Sequence, residues 1–187
     1  KWQEHLSLQQ AAAQAALEVS QQDFLRQAEV FAQLVAKDPV VITLVHQALL
    51  AHTRESGNGG AKESALLRAE LQKVLGLYWE PMQPSGARQL NIHFGSSTFL
   101  RMHHPERFGD DVMSFRPLLA SVLNSGNPAS GMDVGRYGAN YRALVPLKVD
   151  GLAANEPSAV IEVGLALLPP RVLPQGQGQA VLINAAL

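Results

Sequence analysis

Hydrophobic residues recur with a helical period through the first part of the chain. No Gly or Pro interrupts residues 5–36, where the spacing between apolar side chains is three, four or seven positions, at Leu6, Ala13, Leu17, Phe24, Phe31 and Leu34. Glutamines cover the other faces, so the apolar stripe is narrow. The pattern predicts one long helix, which either lies on the surface of its own domain or pairs with a second copy.

Two further helices are predicted before the pattern changes. Asp38 has the side chain of a helix N-cap, and Pro39 suits the first helical position that follows it. A glycine-rich loop separates this helix from the next, which we expect to end at Gly76. The predicted segments are a helix over 40–52, a loop over 56–60, a helix over 61–75 and a connector over 80–88.

After residue 88 the period changes from about 3.6 to 2, which is typical of strands. One helix interrupts the strands, and Asp110 or Asp111 is expected to cap its start. The predicted strands are 89–94, 98–102, 129–135, 141–149, 159–168 and 181–185, with the helix over 112–123. This order predicts an α+β fold in which a short helix covers an antiparallel sheet. We expect a helical N-terminal segment over residues 1–79 and a sheet domain over 80–187.

Composition excludes several classes of protein and site. The chain has no cysteine, so disulfides, thiolate metal sites and cysteine nucleophiles are excluded. Its net charge of −1 offers no general attraction for nucleic acid. No apolar run approaches the roughly 18–20 residues of a membrane span. The chain begins within a helical pattern and ends within a strand-like one, so we expect it to be a fragment of a longer protein.

The segment 99–116 is the densest in reactive side chains. It contains three arginines, two histidines, three carboxylates and three aromatic residues. Residues 88–148 carry seven Lys or Arg against four acids, and arginine suits carboxylate or phosphate groups because its guanidinium is a planar fork. This composition predicts the rim of a small-molecule site. Alternatively, the arginines are salt-bridged to Asp110, Asp111 and Asp133.

The alternation of strand residues assigns side chains to faces. Phe99 and Arg101 are expected to share one face, and Leu100 and Met102 the opposite one. In the strand 141–149, Tyr141 is expected to face away from Arg142.

A metal site and a hydrolytic site are both disfavoured. His103 and His104 are adjacent on an extended chain, so their side chains project to opposite faces, and no metal-ligand spacing such as His-Glu-x-x-His is present. No Gly-x-Ser-x-Gly motif is present. The sequence therefore predicts a non-catalytic fragment with no metal and no cofactor.

Four runs within residues 88–168 resemble the extracytoplasmic Cache (PAS-like) sensor domains of bacterial transmembrane receptors, which precede chemoreceptor, histidine kinase or diguanylate cyclase modules. The runs are Phe99-Leu100-Arg101-Met102-His103-x-Pro105-Glu106-x-Phe108-Gly109-Asp110-Asp111-x-x-x-Phe115-Arg116, Gly131-x-x-Val134-Gly135-Arg136, Tyr141-Arg142-Ala143-Leu144-Val145-Pro146 and Val160-Ile161-Glu162-Val163-Gly164. The resemblance implies a sheet that holds a small solute, a periplasmic location, a membrane-anchored parent and a homodimer formed through the long helices.

These observations lead to one functional hypothesis and one alternative. The domain is expected to bind a small anionic or zwitterionic solute and to pass a conformational change along the long helix. Negative groups of the solute would bind Arg101, Arg116, Arg136 or Arg142, while Tyr137 and Tyr141 would serve as walls or donors, and His103, Asp110 and Asp111 would be available to an amine. No nucleic acid partner is expected. The alternative is a structural dimerisation module with no small-molecule ligand.

Overall fold

The computed structural model describes residues 2–135, 138–147 and 159–166. It confirms the predicted α+β architecture, with three helices followed by an antiparallel sheet and a short fourth helix. The helices are α1 Trp2–Ala36, α2 Pro39–Arg54, α3 Lys62–Met82 and α4 Pro117–Ser125. The strands are β1 Ala87–Phe94, β2 Ser97–Arg101, β3 Ala129–Gly135, β4 Gly138–Leu147 and β5 Ala159–Ala166. Short 3-10 helices span Gln83–Ser85 and Met113–Phe115.

The five strands lie in the order β2-β1-β5-β4-β3, and every neighbouring pair is antiparallel. One face of the sheet packs against α1, α2 and α3 and forms the main hydrophobic core; we call it the helix side. The other face carries α4, which packs on Leu144 and Val160, and we call it the cavity side. The loop over 102–112 also lies on the cavity side, and we call it the covering loop.

The predicted cap of α2 is confirmed. The Oδ1 atom of Asp38 accepts hydrogen bonds from the backbone N–H of Val40 at 2.7 Å and of Val41 at 3.3 Å, and Pro39 occupies the first turn. The hydroxyl of Tyr78 in α3 donates to the other carboxylate oxygen of Asp38. The turn between α1 and α2 is therefore tied to α3.

The predicted end of the third helix at Gly76 is wrong, because α3 continues to Met82 and passes through both Gly76 and Pro81. Leu75, Trp79 and Met82 lie about one turn apart, and all three are buried against the helix-side core. Glycine within a helix costs about 1 kcal/mol. Burial of one large apolar side chain returns more than that, roughly 1.5–3 kcal/mol, so the helix extends over the predicted connector.

The predicted helix over 112–123 is displaced. Met113–Phe115 forms a 3-10 helix, and α4 begins only at Pro117, a residue that favours the first turn of a helix and disrupts its interior. Asp111 Oδ1 accepts a hydrogen bond at 2.8 Å from the N–H of Met113, but Asp111 is the N-cap of neither helix, because those positions are held by Val112 and Arg116. Asp110 caps neither helix and pairs with Arg101 instead.

A register shift in the β1–β2 hairpin changes the predicted faces of β2. Ile92 pairs with Leu100, while His93 pairs with Thr98, so Phe99 is an extra residue on the β2 strand. Phe99 consequently shares the helix side with Leu100, and its ring stacks on Phe94 at 4.4 Å between centroids. The expectation that Phe99 and Arg101 share a face is therefore wrong.

The other predicted strands agree with the structure where it describes them. The alternation in β4 is confirmed, because Tyr141, Ala143, Val145 and Leu147 contribute to the helix-side core and Arg142 lies on the cavity side. The predicted strand over 181–185, and the ends of two strands at 148–149 and 167–168, fall outside the described residues. None of the four described helices is by itself long and apolar enough to cross a membrane. Taken together, α1 and α2 are long and apolar enough by length and composition, but a bend of 74° separates them.

Candidate ligand-binding cavity

A cavity of about 310 Å³ lies between the cavity side of the sheet and the covering loop. The sheet provides its floor through Gln89 and Asn91 of β1, Arg101 of β2 and Arg142 of β4. Residues 103–112 and the segment at Phe115 and Arg116 provide the walls. Because side chains on alternate positions of neighbouring strands share a face, the polar groups of three strands meet here.

Glu162 on the central strand β5 organises the polar side chains beneath this cavity. It is fully buried, and its Oε1 accepts from Asn91 Nδ2 at 3.2 Å and from Arg142 Nη1 at 2.5 Å. Its Oε2 contacts His93 Nε2 at 2.9 Å and accepts from Arg116 Nη2. Both carboxylate oxygens are therefore engaged by groups from β1, β4 and the segment that precedes α4.

These contacts determine the charge state of the cluster. Burial on its own would raise the pKa of Glu162, but Arg116, His93 and Arg142 outweigh it and hold the pKa well below its usual range. Burial lowers the pKa of His93, so this ring is neutral at pH 7. A neutral ring that donates from Nε2 to Glu162 accepts at Nδ1, and the hydroxyl of Thr98 lies 3.2 Å from that atom.

Arg142 reaches across the sheet because its neighbour on β5 is a glycine. Arg142 pairs with Gly164, which in turn pairs with Gln89 of β1, and Arg142 Nη1 donates to Gln89 Oε1 over the glycine. A Cβ atom at position 164 would lie 3.2 Å from Gln89 Cβ and 3.6 Å from Arg142 Nη1. The missing side chain thus leaves the space in which the two side chains meet.

Three side chains at the cavity have buried polar atoms with no hydrogen-bond partner among the described residues: Nε and Nη2 of Arg142, Oδ1 of Asn91 and Nδ1 of His103. Arg142 is 0% exposed and Asn91 3%. Burial, and to a smaller extent His104 and Arg101, lower the pKa of His103 to about 4, so its ring is neutral at pH 7. Buried polar groups normally have partners, so these atoms are the ones that a bound molecule would satisfy.

Arg101 anchors the covering loop. Its Nη1 donates to the Arg107 carbonyl and to Asp110 Oδ1, both at 2.7 Å, and its Nη2 donates to Asp110 Oδ2 at 2.8 Å and to Thr98 Oγ1 at 3.2 Å. The two parallel bonds to Asp110 form a bidentate pair. Arg101 therefore holds the loop closed over the sheet.

The covering loop also reaches α3. The Phe108 ring lies over the guanidinium of Arg68, whose Cζ is 3.5 Å from the ring centroid, and Arg68 Nη1 donates to the Gly59 carbonyl at 2.7 Å. The same guanidinium lies 5.3 Å from the Phe99 ring centroid. The loop is thus attached to the sheet through Arg101 and to the helices through Arg68.

Comparison with protein families identifies the type of domain. A family model described as the double sensory domain of two-component sensor kinases, dCache_3, matches residues 5–154. The chain belongs to this family. It is a Cache sensor domain, as the sequence resemblance predicted, and such domains are non-catalytic by themselves and typically extracytoplasmic. No curated protein matches the chain.

The cavity of this Cache domain contains five of the nine predicted site residues: Arg101, His103, Asp110, Arg116 and Arg142. Asp111 instead accepts hydrogen bonds from the backbone N–H of Met113 at 2.8 Å and from the Ser96 hydroxyl at 3.1 Å. Tyr141 lies on the helix side, where its ring stacks on Phe24, so it does not face the cavity. The predicted residues Arg136 and Tyr137 lie outside the described residues.

The alternative in which the arginines pair with Asp110, Asp111 and Asp133 holds for two of them, and Arg142 pairs with Glu162 instead. Arg101 pairs with Asp110, and Arg116 Nε lies 3.1 Å from Asp133 Oδ2. Arg101 and Arg116 nevertheless both line the cavity. An arginine that is salt-bridged can therefore still be a cavity residue. Within residues 2–135, 138–147 and 159–166, no three His, Asp or Glu side chains are arranged to hold a metal ion.

The sequence analysis did not assign Glu162, Gln89, Asn91 or His93 to the site. A signal for them exists, because Asn91 and His93 are two positions apart in a strand and Glu162 is the one charged residue of an apolar strand. Polar residues in a strand that is otherwise apolar on both faces indicate a buried, paired cluster.

Proposed function

We propose that this Cache domain is the periplasmic ligand-sensing domain of a membrane-anchored sensor kinase, and that its cavity binds a small anionic or zwitterionic solute. The observation that carries the proposal is the group of buried polar atoms without protein partners at Arg142, Asn91 and His103. A cavity of about 310 Å³ is at the small end of the range for ligand sites, which favours a solute of a few carbons over a larger molecule.

The route from the cavity to α1 begins within β4. Arg142 faces the cavity, and the preceding residue, Tyr141, faces α1, where its ring stacks on Phe24 at 6.0 Å between centroids. A second link joins α1 to β3, since the Ser130 hydroxyl donates to Glu29. A ligand that binds one arrangement of β4 more tightly than another would shift the position of α1 by that difference in affinity.

The N-terminal part of α1 is suited to carry this shift outward. Residues 7–16 are exposed throughout, so this part of the helix extends beyond the sheet. We therefore propose that residues 1–79 form the signalling and dimerisation segment and that residues 80–187 form the ligand-binding part.

Isothermal titration calorimetry and thermal shift with a library of small polar solutes test the proposal. At least one solute is expected to bind the wild-type domain, and the variant Arg142→Ala is expected to lose that binding. The variant Arg54→Ala is a matched control, because the Arg54 side chain is 58% exposed and pairs with Glu63 away from the cavity. Absence of binding across the library, or undiminished binding to Arg142→Ala, would contradict the proposal.

One observation favours the alternative of a dimerisation module without a ligand. Leu8, Val19 and Val30 are spaced eleven residues apart on α1, so they share one face, and each is at least 59% exposed. In this alternative the domain dimerises through α1, and no solute changes its melting temperature.

A further inference from the structure

Arg68 on α3 is a buried cation that has no acidic partner among the described residues. It is 8% exposed, and its Nη1 donates to the Gly59 carbonyl at 2.7 Å. Within the described part of the chain it forms no salt bridge, and burial alone shifts its pKa, which is lowered. Arginine is rarely buried without a carboxylate, because removing its charge from water is costly. Another contact must therefore compensate the charge of Arg68.

Two aromatic rings lie against the guanidinium of Arg68 and supply this compensation. Its Cζ is 3.5 Å from the ring centroid of Phe108 in the covering loop and 5.3 Å from that of Phe99 in β2. The face of an aromatic ring attracts a cation, and the attraction is stronger when both groups are removed from water. Phe99 in turn stacks on Phe94 at 4.4 Å. Arg68 thus joins the covering loop to the aromatic residues of β2 and β1.

Phe108 connects the cavity with the α2–α3 loop, which consists of residues 55–61. Phe108 lines the cavity, whereas Arg68 is not among the lining residues. A Cβ atom at Gly59 would lie only 3.2 Å from Phe108 Cδ2 and 3.4 Å from Arg68 Nη1, so the α2–α3 loop packs directly on both side chains. Movement of Phe108 away from the cavity would therefore break its contacts with Arg68 and with Gly59 together.

We propose that Arg68 is a positioning residue of the cavity, which holds Phe108 as part of the cavity wall and makes the covering loop and the α2–α3 loop open and close together. This inference rests on the sensing function proposed above and gives the cavity a second connection to the helical segment, besides the one through β4 and α1. A bound solute that favours the closed covering loop would stabilise the α2–α3 loop by the same free energy, because coupling between two sites is reciprocal.

Limited trypsin digestion of the whole chain measures how often the covering loop opens. The reporter is the bond after Arg107, because the Arg107 side chain is 56% exposed and the next residue is Phe108. Arg68→Met keeps a long side chain but removes the charge. It is expected to raise the rate of cleavage at this bond by roughly tenfold or more, the factor that corresponds to a desolvated cation–π contact. Cleavage reports the population of the open form when opening is fast.

Further variants separate this contact from a general loosening of the helices. Phe108→Leu should accelerate cleavage as Arg68→Met does, whereas Phe108→Tyr keeps an aromatic face and should not. The double variant Arg68→Met with Phe108→Leu should be cleaved no faster than either single variant, since both remove the same contact. Arg54→Met is the matched control and should leave cleavage after Arg107 unchanged, because Arg54 also joins α2 to α3 but pairs with the exposed Glu63.

Amide hydrogen exchange measured by NMR tests whether the two loops move together. Within the α2–α3 loop, the Ala61 N–H donates to the Asn58 carbonyl at 2.9 Å. Phe108→Leu changes a residue of the covering loop only, and coupling between the loops predicts that exchange at Ala61 becomes several-fold faster in this variant. A role of Arg68 that is confined to the packing of α3 predicts no change at Ala61.

The outcomes distinguish this inference from the sensing function. Unchanged cleavage after Arg107 in Arg68→Met, or unchanged exchange at Ala61 in Phe108→Leu, overturns the positioning role and leaves the sensing function standing, since neither measurement uses a solute. Absence of solute binding in calorimetry, together with the expected cleavage and exchange, overturns the sensing function and leaves the coupling of the two loops. If circular dichroism shows that Arg68→Met is unfolded, cleavage and exchange in Phe108→Leu decide the question.

Discussion

Replacing Glu162 by Gln tests whether its ionised carboxylate holds the cavity side together. The substitution nearly preserves shape but removes the negative charge that faces Arg116 and Arg142, both almost fully buried. Removing one partner of a buried ion pair typically costs about 3–5 kcal/mol, because the remaining charge is left uncompensated. In a domain of this size each kcal/mol corresponds to about 2–4 °C. We therefore expect the melting temperature to fall by roughly 6–20 °C.

Urea denaturation followed by circular dichroism measures the loss of unfolding free energy directly. The matched control is Glu63→Gln, because the Glu63 side chain is 52% exposed where it pairs with Arg54, and exposed pairs contribute less than about 1 kcal/mol. The double variant Glu162→Gln with Arg142→Gln should lose less than the sum of the two single variants, since it removes a charge of each sign. A loss in Glu162→Gln no larger than that of the control would refute the reasoning, as would additivity in the double variant.

Four further predictions follow from the structure. Because the pKa of Glu162 is lowered on folding, its contribution to the unfolding free energy is present above its ordinary pKa of 4.5 and is lost as pH falls below that value. Urea titrations between pH 7 and pH 3 should therefore show that the unfolding free energy declines less steeply with falling pH in Glu162→Gln than in the wild type. NMR titration of His103 should show a midpoint near pH 4, and a midpoint at or above 6 would contradict the burial of its ring. Asp38→Ala should cost about 1–2 kcal/mol in thermal unfolding through loss of the α2 cap, whereas an unchanged melting temperature would show that the cap is dispensable. Leu75→Ala should cost about 2–5 kcal/mol because this fully buried side chain fills the helix-side core, and exposed Leu77→Ala is its control, expected to stay within about 0.5 kcal/mol.

The elements whose identity depends on local chemistry could be predicted from the sequence. The cap at Asp38 and the alternation in β4 depend on residues close in the chain, and both are confirmed. The end of α3 could not be predicted in the same way. Gly76 is a local signal for a helix end, but burial of Trp79 and Met82 against distant strands outweighs it. Propensity is a weak preference that tertiary packing overrides.

The types of residue at the candidate site could be predicted from the sequence, but the role of each residue could not. The sequence indicated an arginine-rich region, and Arg142 and Arg116 do lie at the cavity. It could not indicate that Arg101 anchors the covering loop through Arg107 and Asp110, because that depends on how residues 102–112 fold back over β2. Tyr141 was misplaced for a different reason. Its proximity to Arg142 in sequence suggested a shared site, although adjacent strand residues face opposite sides.

The additional residue at Phe99 fixes the register of the β1–β2 hairpin. Deletion of Thr98 would place Phe99 opposite His93, restore strict alternation and turn the aromatic ring toward the cavity, away from Phe94 and His52. Insertion of a residue between Thr98 and Arg101 would instead move the guanidinium away from Asp110 and release the covering loop. Related domains with the same cavity are therefore expected to vary in length in the surrounding loops and to keep the length of this strand unchanged.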